Sequence, residues 1–146
     1  MPSQQARRGP RVQTFRDFYA DVTEQLPALL PSDLRDFQTA RMGSVFKVFY
    51  DDRHQHFELW FHGGGLEVAF HLEGGAEDGE IAKLLGRRLA SIRRQLGGDV
   101  RLEPFGKGWF HLFELWRGVS RGADLAAEAA ERLAEYVRVV EPLRRA

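Results

Sequence analysis

Histidines and glutamates alternate in one short stretch of this chain, and their spacing could hold a metal ion. The stretch contains His54, His56, His62 and His71 together with Glu58, Glu67 and Glu73. A His-x-His pair on a β-strand projects both imidazoles to one side, and imidazole nitrogens with carboxylate oxygens are ligands of divalent metals. If His56 and His71 face each other on neighbouring strands, Glu58 completes a set of two imidazoles and one carboxylate. The sequence therefore offers a divalent metal site at these three residues, with solvated histidines at a hairpin end as the alternative.

Other catalytic signatures do not occur in the sequence. No serine lies in a Gly-x-Ser-x-Gly turn, and Gly63-Gly64-Gly65 is not followed by the Gly-Lys-Ser/Thr of a phosphate-binding loop. Glu67-Val68-Ala69 has no lysine at the position that a restriction-type nuclease requires. The remaining histidine, His111, is predicted to face the core. We therefore assign no catalytic residue and no cofactor other than the divalent metal, and the sequence favours a non-enzymatic protein.

These side chains are carried by a predicted meander of three β-strands, at about residues 45–50, 55–62 and 65–73. Gly63-Gly64 suits a two-residue turn in which both residues have positive φ. That turn sets Phe57 opposite Phe70, and a loop at residues 51–54 sets Val48 opposite Phe57. Both hairpins then place their apolar residues on one common face, and a slip of one residue in either would destroy this agreement.

Helical patterns flank the strands and define the fold class. Helices are predicted from Thr14 to the Pro27–Pro31 region, over 79–96, and from Asp124 to Pro142. A second hairpin is predicted between 100–104 and 109–116. The sequence thus predicts an α+β fold in the order α-β-β-β-α-β-β-α. Its five-stranded, mainly antiparallel sheet has the helices packed on one face. Residues 14–146 would form this single domain, and residues 1–13 a flexible basic tail.

The tetrapeptide Phe-Glu-Leu-Trp occurs twice, at 57–60 and at 113–116. Alternation along a strand puts Phe and Leu on one face and Glu and Trp on the other. In the second hairpin, pairing Leu102 with His111 and Val100 with Phe113 turns valine, leucine and phenylalanine inward. Both tryptophans are then predicted to face away from the helices.

The outer face of the sheet is accordingly predicted to be a binding surface. Its expected members are Phe49, Trp60, Phe110, Leu112 and Trp116, with Lys47, Glu58 and Glu67 among them. Aromatic anchors in a polar surround are typical of interfaces, whereas such a patch left in water favours association. The simplest expected partner is a second copy of the chain, forming a homodimer, and another protein is the alternative.

Composition narrows the class of partner. The formal net charge is zero, with 21 basic and 21 acidic side chains, whereas a nucleic-acid-binding protein usually has a basic excess. A role as a nucleic-acid-associated domain remains an alternative, with the basic side of the 79–96 helix as its surface. The absence of cysteine, of a long apolar run and of an apolar leader predicts a cytoplasmic protein with no membrane partner.

The predicted order of elements between Thr14 and Pro142 resembles the type III secretion chaperone fold. Those proteins are small, poor in cysteine and dimeric, and they bind unfolded or extended segments on apolar patches. The resemblance therefore implies a chaperone-like protein-binding module. This is the leading hypothesis of the sequence, and a metal-dependent enzyme at the histidine and glutamate site is the second.

Overall fold

The computed structural model describes residues 12–146, which form four α-helices and six β-strands. The helices are α1 (Phe15–Leu29), α2 (Asp78–Arg87), α3 (Leu89–Leu96) and α4 (Ala123–Arg145). The strands are β1 (Gln38–Met42), β2 (Val45–Phe49), β3 (Gln55–His62), β4 (Gly65–Leu72), β5 (Arg101–Phe105) and β6 (Trp109–Arg117). Most of the tail predicted for 1–13 lies outside the described residues. At its end, the backbone N–H of Gln13 donates to the carbonyl oxygen of Arg121 at 2.8 Å.

All six strands form one antiparallel sheet in the order β1-β2-β3-β4-β6-β5. The predicted α+β class with an antiparallel sheet is confirmed, but the prediction of five strands is wrong, because β1 was not anticipated. Its sequence, Gln-Thr-Ala-Arg-Met, shows no alternation of polar and apolar residues. An edge strand that buries little surface does not need that alternation, so the usual signal of a strand is missing.

The predicted register of the first three strands is confirmed. Phe57 pairs with Phe70 across β3 and β4, and Val48 pairs with Phe57 across β2 and β3. Gly63 and Gly64 have φ values of 57° and 77°, as the turn between β3 and β4 requires. The apolar residues of these strands consequently share one face, which we call the inner face because the helices pack on it.

Helices α1 and α4 cover the inner face and close the core. The Thr14 hydroxyl accepts a hydrogen bond from the N–H of Asp17 at 3.1 Å, which caps α1 as predicted. Phe18 of α1 and Val137 of α4 are fully buried in the same apolar cluster as the inner-face side chains of the sheet. Tyr19 ties α1 to the sheet by donating its hydroxyl to the carbonyl oxygen of Ser44 at 2.5 Å.

The helix predicted over 79–96 is divided in two at Arg88, whose φ of −99° and ψ of 3° interrupt the helix. Gly86 lies two residues before this point, and a glycine lowers helix propensity where it occurs. Both halves still contribute to the core, through Leu85 of α2 and Ile92 of α3. Among residues 12–146, no helix combines the length and the apolar character needed to cross a bilayer.

The second hairpin forms where it is predicted and turns at Gly106-Lys107-Gly108, but its register differs by one residue from the predicted register. Leu102 pairs with Leu112, and Arg101 pairs with Phe113. Because β6 also pairs with β4, this pairing decides which side chains of β6 lie on each face. Leu112 lies opposite the inner-face residue Phe70. The even-numbered residues of β6 therefore face the helices and the odd-numbered residues face outward.

Candidate metal centre

Two neighbouring strands place a cluster of imidazoles and carboxylates on the outer face, the side of the sheet opposite the helices. His56 and Glu58 alternate on β3, Glu67 and His71 alternate on β4, and Glu73 follows β4 immediately. His56 and His71 are directly opposite each other, as the sequence predicts. The side chains of His56, Glu58, Glu67 and His71 are at most 4% exposed. With Glu73 and with His111 of β6, which are partly buried, the cluster has six members and forms a largely buried polar layer on the sheet.

His56 is held in one orientation by the main chain. Its Nδ1 lies 2.9 Å from the carbonyl oxygen of Arg53, and since a carbonyl can only accept, Nδ1 carries a proton. Its Nε2 points at two carboxylates, 3.1 Å from Oε1 of Glu58 and 3.5 Å from Oε2 of Glu73. Two carboxylates at this nitrogen favour a positive charge there, either as a proton on Nε2 or as a bound metal cation.

His71 lies at the middle of the cluster and contacts carboxylates through both ring nitrogens. Its Nδ1 is 2.8 Å from Oε2 of Glu73. Its Nε2 is 2.8 Å from Oε2 of Glu67 and 3.2 Å from Oε2 of Glu58. His71 therefore links all three glutamates, and any change in its charge acts on each of them.

These contacts shift the pKa values of the cluster. Burial disfavours the charged imidazole of His71, but the hydrogen bonds with Glu67 and Glu73 outweigh it and raise the pKa of His71 to about 9. The pKa of His56 is raised in the same way, because the contacts with Glu58 and Glu73 outweigh its burial. Burial raises the pKa of the Glu67 carboxyl, yet the nearby His111 and His71 lower it to about 2. The pKa of Glu73 is also well below its usual value, because His56 and His71 outweigh the effect of burial.

His111 completes a second group with Glu67 and His71. Its Nδ1 is buried, has no hydrogen-bond partner among residues 12–146, and lies 3.6 Å from Oε2 of Glu67, which is within ion-pair distance. The ring stacks on Phe113 with centroids 3.8 Å apart. The prediction that His111 faces the core is wrong, because the one-residue difference in register turns it to the outer face.

Side chains of the sheet and its loops cover the cluster. The ring of Phe105 lies 4.8 Å from that of His71, and the guanidinium of Arg53 lies 5.6 Å from the ring of Phe49. Lys47 supplies an ammonium group 3.7 Å from Oε1 of Glu73. Lys47 is opposite Glu58 in the strand pairing, but its short ion-pair distance is to Glu73. Glu73 is the most exposed of the three glutamates, so solvent reaches the cluster on its side.

The structure brings together the three residues of the predicted metal site, His56, His71 and Glu58. It adds Glu73, which the same alternation could have supplied, since Glu73 is two residues beyond His71 and on the same face. Neither His54 nor His62 is among the grouped metal-ligand candidates, although Nε2 of His62 lies 3.3 Å from Oε1 of Glu67 at the edge of the cluster. His54 contacts Asp52 at 3.1 Å, and His62 stacks on Trp60 with centroids 3.8 Å apart.

The predicted aromatic binding surface is divided between the two faces of the sheet. Trp60, Lys47 and Phe49 lie on the outer face, with Phe49 buried. The expectation that Phe110, Leu112 and Trp116 lie there is wrong. All three pack against the core beneath the helices, because β6 takes its phase from β4. The outer face carries instead a different aromatic set from the second hairpin, Phe105, Trp109 and Phe113.

Glu114 shows why the second Phe-Glu-Leu-Trp points the opposite way from the first. Its Oε1 accepts from Nε of Arg132 at 2.6 Å and from the Tyr136 hydroxyl at 2.9 Å, both on α4. Its Oε2 accepts from the indole N–H of Trp116 at 3.0 Å. A buried carboxylate is tolerated where it is paired and hydrogen-bonded, and α4 provides these partners only on the inner face.

Comparison with family models, with curated proteins and with solved structures gives no match for this chain, so its function must be inferred from the geometry of the centre itself.

Proposed function

We propose that the protein binds a single divalent transition-metal ion through His56, Glu58, His71 and Glu73. One observation carries the proposal: each of these residues offers a ligand atom, the four atoms lie within 4.8 Å of one another, and three of the four residues are buried. Two imidazoles with two carboxylates suit Zn²⁺ and related ions, and they are unlike the all-oxygen sites of Ca²⁺ and Mg²⁺.

The hydrogen bonds around the imidazoles support metal binding. Metal-binding histidines usually donate the other ring N–H to a backbone carbonyl or a carboxylate, which fixes the tautomer. His56 has this arrangement with Arg53, so its Nε2 is free to bind a cation. His71 has carboxylates at both nitrogens, so one nitrogen can bind the ion while the other donates to a carboxylate.

The charge of the cluster is also suited to a divalent cation. Glu58, Glu67 and Glu73 bring three carboxylates together, and Lys47 is the ammonium group beside them. The remaining negative charge is offset either by protons on the two imidazoles or by one divalent ion with neutral imidazoles. Because deprotonated ligands are required, metal binding would release protons from the site.

The proposed role is metal binding without catalysis. Four protein ligands complete a tetrahedral coordination shell, which is typical of structural Zn²⁺ sites, whereas catalytic sites keep one position for water or substrate. The ion would join β3, β4 and the residue after β4 on the outer face, and would thereby stabilise the middle of the sheet.

Titration of untagged, chelator-treated protein with Zn²⁺ tests this proposal. Isothermal calorimetry should show one equivalent bound, and the thermal unfolding temperature should rise with Zn²⁺, because a ligand that binds the folded state stabilises it. His56→Gln and His71→Gln should each weaken binding by at least about a hundredfold. His54→Gln is the matched control, since His54 lies outside the centre, and it should bind as the wild type does.

Circular dichroism of each variant establishes that it is folded before binding is compared. The proposal would be abandoned if the wild type bound no Zn²⁺, Mn²⁺, Co²⁺ or Ni²⁺, or if folded His56→Gln protein bound with unchanged affinity.

The other functions expected from the sequence have less support from the geometry. Three anchors of the predicted protein-binding surface lie beneath the helices, so the chaperone-like use of that surface is not part of the proposal. The nucleic-acid alternative stays a prediction based on the basic residues of α2 and α3. One of these residues, Arg93, donates a hydrogen bond from Nε to the carbonyl oxygen of Val100 at 2.9 Å.

A further inference from the structure

Strand β1 forms one edge of the sheet and pairs only with β2 within the described part of the chain. An edge strand presents unpaired backbone N–H and C=O groups that can pair with another chain. Four of the five residues of β1 are exposed, and Met42 is the most exposed of the large apolar residues described, at 75%. The polar backbone groups and an apolar side chain are thus available together at this edge.

The two edges of the sheet differ in how they are protected. Strand β5, at the other edge, contains Pro104, which has no N–H to donate and which is typical of edges that do not pair further. Strand β1 contains no proline, lysine or acidic residue, and Arg41 is its only charged side chain. The usual means of preventing edge pairing are therefore present at β5 and nearly absent at β1.

We propose that β1 pairs antiparallel with β1 of a second copy of this chain, about a two-fold axis at Ala40. Residues directly opposite each other in antiparallel strands point to the same face of the sheet. In a two-fold symmetric pair of identical strands, one residue must therefore lie opposite its own copy, with the axis between the two. Centring on Ala40 places Ala40 opposite Ala40, Thr39 opposite Arg41, and Gln38 opposite Met42. This register uses all five residues of β1.

Self-complementarity favours a second copy as the occupant of the edge. In the Ala40 register, small alanines meet at the axis, and the two arginines are opposite threonines rather than each other. Centring on Arg41 would place the two guanidinium groups directly opposite, which destabilises a strand pair. Gln38 lies opposite Phe49 of β2, so Met42 of the second copy would extend the outer-face row formed by these two residues.

The pairing would join two six-stranded sheets into one continuous sheet. The metal centre lies on β3 and β4, and β2 separates it from β1. Dimerisation therefore does not depend on metal binding, and each proposal can fail without the other.

A charge-exchange experiment tests this dimer. The wild type should self-associate when sedimentation or light scattering is followed from about 1 μM to about 1 mM, the range expected for a small interface. Ala40→Lys and Ala40→Glu each place like charges on the axis, and each should weaken self-association by at least about tenfold. An equimolar mixture of the two variants should recover association as a heterodimer. Ala76→Lys, in an exposed loop, is the matched control and should associate as the wild type does.

Three results would overturn the proposal. The first is a wild type that stays monomeric throughout this range. The second is unchanged association of both Ala40 variants. The third is a mixture of folded variants, judged by circular dichroism, that does not recover the dimer.

Discussion

Replacement of Arg132 by methionine is expected to lower the free energy of unfolding by about 3–5 kcal/mol, because it leaves a buried carboxylate without its cation. Nε of Arg132 donates to Oε1 of Glu114 at 2.6 Å, and Glu114 is 9% exposed. Without the guanidinium, the donors left to the carboxylate within residues 12–146 are the neutral groups of Tyr136 and Trp116. Arg132 also donates to the carbonyl oxygen of Leu96, so the link between α4 and the end of α3 would be lost as well.

Urea unfolding of the variant measures this effect. Arg138→Met is the matched control, because Arg138 is on the same helix but exposed, with its hydrogen bond going to the carbonyl oxygen of Leu29. Adding Glu114→Gln to Arg132→Met should recover part of the loss, since the amide removes the buried charge. Equal stability of Arg132→Met and Arg138→Met would show that the pair contributes little.

Raising the pH from 6.5 to about 9 is expected to destabilise the metal-free protein by on the order of 3 kcal/mol. The folded protein raises the pKa of His71 from 6.5 to about 9, so the folded state holds this proton more tightly than the unfolded chain does. The resulting stabilisation is complete below pH 6.5 and is lost as the pH rises to about 9. Glu67 has the opposite effect on the pH dependence of stability. Folding lowers the pKa of its carboxyl from 4.5 to about 2, so the stabilisation that Glu67 contributes is lost as the pH falls through that interval.

Together these groups place the highest stability of the metal-free protein between about pH 4.5 and 6.5. Urea unfolding in the presence of a chelator, repeated across the pH range, measures how the free energy of unfolding changes with pH. His71→Gln should reduce this change above pH 6.5, whereas His54→Gln should leave it as in the wild type because His54 lies outside the cluster. A stability that is constant or increases from pH 6.5 to 9 would contradict the assignment of a proton to His71.

The sequence was sufficient to predict the strand register in the part of the sheet where two independent constraints agree. The Gly63-Gly64 turn and the loop at 51–54 each set a register, and both placed Phe57 and Leu59 on the face that the helices cover. The candidate metal centre follows from the same register, because the pairing of His56 with His71 depends only on β3 and β4.

The sequence was insufficient to predict which side chains of a strand face the helices where this depends on residues distant in the chain. Both faces of β6 carry large apolar residues, so alternation alone does not distinguish them. The inner position of Glu114 depends on Arg132 and Tyr136, which are on the last helix. For the same reason the outer position of His111 could not be found from its own hairpin.

Because the repeated tetrapeptide faces opposite ways, the three tryptophans are intrinsic fluorophores in three different environments. Trp60 stacks on an imidazole at the outer surface, Trp109 is 38% exposed at the tip of a hairpin, and Trp116 donates its N–H to a buried carboxylate under the helical layer. Variants that keep one indole at a time would separate the optical signals of the two sides of the sheet. Emission could then distinguish loosening of the helical layer from rearrangement of the opposite surface during a single unfolding transition.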